Sequence, residues 1–138
     1  MKIKEIIFIT LCGLTLAANA QEINCDEVYT TRDMNHCASA ELDSAERIMG
    51  QYLEAGKKRY SNDEIVLKSI TEAQGAWLAY RKAHCGSVHD VWREGTIRSV
   101  MSISCSTELT KKRTHEIWDT YLTYMDSTSP ILPEPSLD

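Results

Sequence analysis

The side chains able to do chemistry are few in this chain: four histidines, five cysteines, and one run in which reactive types fall together. That run is AQGAWLAYRKAHC, residues 73–85. At about 100° per residue, Val66, Ile70, Ala73, Trp77, Tyr80 and His84 share one helical sector, which predicts the buried face. Gln74, Arg81 and Cys85 lie inside that sector or at its edge, so an amide, a guanidinium and a thiol are aimed toward the core. An enzyme would need titratable groups that converge. His36, His84, His89 and His115 are instead scattered, no serine sits in a nucleophile-elbow context, and the acids are spread as solvated helix faces. No catalytic residue and no cofactor is expected. His36 adjoins Cys37 and His84 adjoins Cys85, which raises a metal site, and Met34, His36 and His89 form the set a metal carrier would use. No C-x-x-C pair is present, however, and metal ligation is the weaker reading.

A buried arginine requires an acid and packing for its stem. The first helix supplies Glu41 within its apolar sector, whereas Asp43 and Glu46 point away from it, so Arg81 is predicted to pair with Glu41. Trp77, one turn earlier, stacks on the guanidinium. Gln74 is left to bond a backbone carbonyl or a capping side chain.

Lys2 and Lys4, an uncharged apolar run from Ile6 to Ala18, and Ala18-Asn19-Ala20 together read as a secretory signal peptide cleaved after Ala20. The run is shorter than the roughly 20 residues a bilayer requires. Cleavage would leave 118 of the 138 residues; loss of Lys2, Lys4 and Glu5 lowers 15 basic residues to 13 and 20 acidic residues to 19, a formal net charge of −6. An acidic chain without a basic patch argues against nucleic acid and leaves cationic proteins as partners. Export places the protein in the periplasm or outside the cell, with no membrane attachment after cleavage. There the four remaining cysteines read as two disulfides, for which three connectivities are possible.

The elements that must position these groups are helical. Met34, Ala38, Leu42, Ala45, Met49, Tyr52, Gly56 and Tyr60 recur every three or four residues, predicting a long amphipathic helix capped by Thr30 or Thr31. Ser61 and Glu64 form a capping box for a second helix that ends near Gly86. Residues 86–95, GSVHDVWREG, read as a loop. A third helix is expected over 96–103, and a fourth beginning at Ser106 or Thr107, with Leu109, Ile117, Tyr121, Tyr124 and Met125 as its apolar positions. The proline-rich end, residues 127–138, is expected to be flexible. The fold class is all-α, a small bundle of about four helices stapled by two disulfides, within a domain spanning residues 21–126.

The ordered set W77-x3-R81-x3-C85, E94-G95-T96 and C105-x3-L109-T110-x2-R113 resembles the LprI lysozyme inhibitor domain, and Cys25, RDMNHCASAEL and Tyr52 are similar to its first half. The likeness spans about residues 25–122. Ala45, Ile48 and Met49 stand where the family tends to carry an Asp and a Leu-Asn pair, which leaves Glu41 as the acid for Arg81. Helix geometry favours local disulfides: Cys37 lies about two turns, roughly 9 Å, inside the first helix, within reach of Cys25, and the 86–95 loop returns the chain so that Cys105 meets Cys85.

The resemblance implies a binding protein that inhibits lysozyme-type muramidases. The alternative is an immunity or envelope-stress protein that binds another toxin or envelope component. A muramidase cleft holds a catalytic Glu and Asp. Within 86–95, His89 and Arg93 are the cations able to face those carboxylates, and Trp92 between them is an aromatic anchor; Trp92 packed under the loop is the structural alternative.

Overall fold

The computed structural model describes residues 23–137. The signal peptide and its cleavage site lie outside the described residues. Three helices follow a short turn: α1 (Thr31–Arg59), α2 (Glu64–Val91) and α3 (Arg98–Tyr121). No strand occurs among the described residues, and no described helix is long and apolar enough to cross a membrane.

Thr30 starts α1 by accepting from the Asp33 backbone N–H at 3.1 Å, and Lys57, Lys58 and Arg59 close it with positive charge where the helix dipole is negative. The second cap differs from expectation. Asp63, rather than Ser61, accepts from the N–H groups of Ile65 and Val66, both at 3.1 Å. A carboxylate at the N-cap satisfies two orphan donors and opposes the positive helix end, which a serine hydroxyl does less well.

Two expected breaks are absent. The helix α2 runs through Gly86 to Val91, and the loop contracts to a turn over residues 92–97. Glycine costs about 1 kcal/mol within a helix but ends one only when it adopts the left-handed conformation, and no described glycine has positive φ. The expected third and fourth helices are one. Ser106 and Thr107 do not cap; their hydroxyls donate back to the carbonyls of Ser102 and Ile103, one turn earlier, and the helix continues through them. Tyr124 and Met125 therefore lie beyond α3, exposed.

The α3 helix is the shared neighbour: it packs against both α1 and α2, more extensively against α1. Its inner face is Thr107, Thr110, Thr114 and Ile117, all buried. Threonine suits this role because each hydroxyl is satisfied by a carbonyl four residues back, Ile103, Ser106 and Thr110 respectively, so that the methyl faces the core at no unpaired polar cost. On α1 the buried positions are Ala45, Met49 and Gly56; on α2 they are Ile70, Gln74 and Cys85. The α2 stripe is thus rotated toward the polar edge of the expected sector. Tyr80 and His84 stack on each other outside, with ring centroids 5.5 Å apart, and Ala73 is exposed.

Gly56 marks a close approach of α1 and α3, since a Cβ there would stand 3.2 Å from Tyr121 Cβ. Gly56→Leu is expected to destabilise by about 1–3 kcal/mol through overpacking. Gly75, where an added Cβ would meet nothing within 4 Å, is the control: Gly75→Ala should raise stability by up to about 1 kcal/mol. Urea titration of the two variants checks the contrast.

The chain beyond α3, expected to be flexible over 127–138, makes specific contacts. Arg59 Nη1 donates to the carbonyls of Tyr121 (2.8 Å) and Thr123 (2.7 Å), and its guanidinium lies 4.2 Å from the Tyr124 ring centroid. Asp126, held below the usual carboxylate range first by the Thr128 hydroxyl and then by its N–H, stabilises the bend that follows. Because that pKa is depressed, the contribution is present at neutral pH and fades as pH falls through it. Leu132 and Pro133 then bond Trp118 and Tyr52, and Pro135 is buried.

Candidate functional site

Both disulfides are local: Cys25 joins Cys37 and Cys85 joins Cys105, each with Cα atoms 5.6 Å apart. The second staples the end of α2 to α3, and Ser102 Oγ donates to the Cys85 carbonyl at 2.8 Å beside it. The result is a rigid base for the turn that links the two helices.

Above that staple the polar groups of residues 74–85 meet. Arg81 is largely buried; its Nη2 bonds Glu46 Oε1 at 2.6 Å and its Nη1 bonds Thr110 Oγ1 at 2.6 Å. The Thr110 hydroxyl accepts from the arginine while donating to the Ser106 carbonyl at 2.7 Å. Trp77 is in reach of two guanidiniums, with Arg81 Cζ 5.1 Å and Arg113 Cζ 6.0 Å from its ring centroid. Arg113 Nε donates to Gln74 Oε1 at 3.2 Å, and Gln74 Nε2 reaches Met49 Sδ at 3.6 Å. The partner expected for Arg81 is corrected: Glu41 pairs instead with Lys111, at 2.9 Å. Gln74 bonds a side chain rather than a backbone carbonyl.

This network joins all three helices. Its members bond mostly to one another and are largely withdrawn from solvent, with Arg113 Nη2 buried and unpaired.

The exposed candidate is the α2–α3 turn. His89 sits in the last turn of α2, with Nδ1 3.7 Å from Asp90 Oδ1. Trp92 caps the helix and is 40 % exposed, next to Val91 at 77 %. Arg93 projects into solvent, its Nε 3.2 Å from Glu94 Oε1, and the Arg93 carbonyl accepts from Arg98 Nη1 at 3.4 Å. Gly95 N–H closes the turn on the Trp92 carbonyl at 2.8 Å. His89 lies in α2, and Trp92 and Arg93 in the turn that follows it, so the three are split between helix and turn where a single loop was expected. Val91, the last residue of α2, and Arg98, the first of α3, border the same turn. Among the described residues no three of His, Cys, Asp and Glu are grouped as metal ligands would be.

The family model described as Lysozyme inhibitor LprI matches residues 24–117. The chain belongs to this family. The match runs from the first disulfide through nearly all of α3 and takes in the whole Trp77–Arg81–Arg113 network. An uncharacterised protein of Rhizobium meliloti (strain 1021) is 30 % identical over 116 residues, covering 75 % of this chain and 84 % of the relative. No solved structure matches the chain. Trp77, Arg81, Thr110 and Arg113 lie within the matched residues and connect the three helices.

Proposed function

We infer that the protein is an exported binding protein that inhibits a lysozyme-type muramidase and meets it with the α2–α3 turn. Membership of the LprI lysozyme inhibitor family carries this reading. Two disulfides suit an oxidising compartment such as the periplasm. The formal net charge of −5 steers the chain toward cationic enzymes.

The turn has the composition an anchor needs. Val91 and the exposed edge of Trp92 offer apolar surface already in solvent, so covering that surface with a partner does not open the fold. Arg93 is engaged only with exposed Glu94, a pair worth less than about 1 kcal/mol, and can exchange it for a carboxylate of the enzyme at little cost. His89 flanks the same surface. An inhibitor of this design excludes substrate by filling the cleft and opposing the catalytic carboxylates, with no chemistry of its own.

Purified protein is expected to slow lysis of a cell-wall suspension, and rising salt to weaken the effect. Trp92→Ala should reduce inhibition about 30-fold and Arg93→Ala about tenfold, consistent with roughly 2 and 1.4 kcal/mol of binding energy; the thermal midpoint should hold in Arg93→Ala and fall in Trp92→Ala, which also loses the covered part of its ring. Inhibition unaffected by changes at His89, Trp92 and Arg93 would move the contact to another face. Failure to inhibit any animal or bacterial muramidase at micromolar protein would replace this activity with binding of another toxin or envelope component.

A further inference from the structure

Three consecutive residues of the C-terminal segment are each held by a different ring of α1 or α3. Trp118 Nε1–H donates to the Leu132 carbonyl at 2.9 Å, the Tyr52 hydroxyl donates to the Pro133 carbonyl at 2.8 Å, and His115 Nε2 lies 2.9 Å from Glu134 Oε1. Pro135 follows, buried. His115 and Trp118 are themselves in contact, with centroids 5.2 Å apart. The prolines at 133 and 135 remove backbone donors and hold Leu132 and Glu134 extended. The segment thus presents carbonyls at successive positions to aromatic N–H and O–H groups, which is how proline-rich ligands are read in aromatic-lined grooves. None of these residues belongs to the turn described above. His115 lies 17 residues along α3 from Arg98, about 25 Å.

We propose that the α1–α3 groove is a binding site for an extended partner peptide of x-Pro-acid-Pro type, and that residues 131–137 occupy it as a built-in competitor. The segment is placed to leave. Residues 124–130, between it and α3, are exposed throughout, and Ile131 N–H to the Leu122 carbonyl, at 2.9 Å, is the backbone tie at its base. The groove is also wider than its occupant. A cavity of about 440 Å³ remains beside the segment, lined by Ile48, Tyr52, Lys111 and Thr114 on the helices and by Glu134 and Pro135 on the segment. Tethering gives the segment an effective concentration in the millimolar range, so a partner binds only when it is a better ligand or when the segment is loosened. The site is independent of the muramidase reading, and neither test decides the other.

The probe is a fluorescein-labelled peptide with the sequence of residues 129–137, titrated by fluorescence polarisation into the full chain and into a full-length Pro133→Ala, Glu134→Lys variant, whose changes lie in the segment and leave the groove intact. The variant is expected to bind the peptide at least tenfold more tightly than the unaltered chain. Adding Tyr52→Phe to the variant should weaken binding at least fivefold. Equal affinity for both chains, no binding to the variant at millimolar peptide, or binding indifferent to Tyr52→Phe would overturn the proposal. Should the variant not fold, the unaltered chain gives the same decision: millimolar peptide should speed hydrogen exchange of the Ile131 N–H several-fold, and an unchanged exchange rate overturns the competitor. Concentration-dependent dimers in which the segment docks on a second copy would also overturn an external partner.

Discussion

Reduction of both disulfides is expected to unfold the domain. The Cys25–Cys37 bridge spans 12 residues of sequence and the Cys85–Cys105 bridge 20. In the chain-entropy model each contributes about 3 kcal/mol, together on the order of 6. Small domains are stable by about 5–15 kcal/mol in total, and this core is small, with threonine filling positions that larger apolar side chains usually take. Urea titration with and without dithiothreitol measures the loss. The two bridges should also separate. Cys85→Ser with Cys105→Ser removes a buried staple at the base of the α2–α3 turn and should abolish binding through that turn along with its share of stability. Cys25→Ser with Cys37→Ser frees only the lead before α1 and should leave binding intact. A reduced protein whose unfolding midpoint is unchanged would show that helix packing alone holds the fold.

Arg81→Ala should destabilise by about 3 kcal/mol. The change removes the bond to Thr110, the stack on Trp77 and the charge opposite Glu46, and leaves a buried hydroxyl without its donor. The ion pair carries only part of this. Glu46 is 41 % exposed at its side chain, so solvent screens it and the Arg81–Glu46 coupling in a double-mutant cycle should be about 1 kcal/mol. Arg81→Lys should rescue little, since an ammonium cannot bond Thr110 and Glu46 in one plane while lying on the indole. Glu41→Ala, which breaks only the surface pair with Lys111, should cost less than about 0.5 kcal/mol. A larger effect at Glu41 than at Glu46 would reverse the assignment.

Much of the architecture follows from local rules. Apolar spacing determined that the chain is helical and located α1 to within a residue, because a 3.6-residue period survives whatever the helix packs against. The reach of a helical turn determined the disulfide pairing. Trp92 and Arg93 follow α2 directly, whereas His89, expected in a loop, lies inside that helix and is partly covered. Helix ends were less legible. Gly86 and Ser106 carry breaker and capping signals that stay unused unless the backbone turns there, and the stapling of α2 to α3 keeps it straight.

The docking of residues 131–137 was invisible for a related reason: a proline-rich, weakly hydrophobic segment has no periodicity, and its place is set by donors on Tyr52 and Trp118, far away in sequence. The partner of Arg81 shows the limit most plainly. Sequence determined that a buried guanidinium needs an acid on α1, and it favoured Glu41, within the apolar stripe, over Glu46, which points away from it. They point about 140° apart around the helix. Which one meets Arg81 depends on which side of α1 carries α2 and which carries α3, and an amphipathic pattern gives the direction of burial without the identity of the neighbour. Tertiary packing set α3 against the side of Glu41, where Lys111 takes it, and left Glu46 to Arg81.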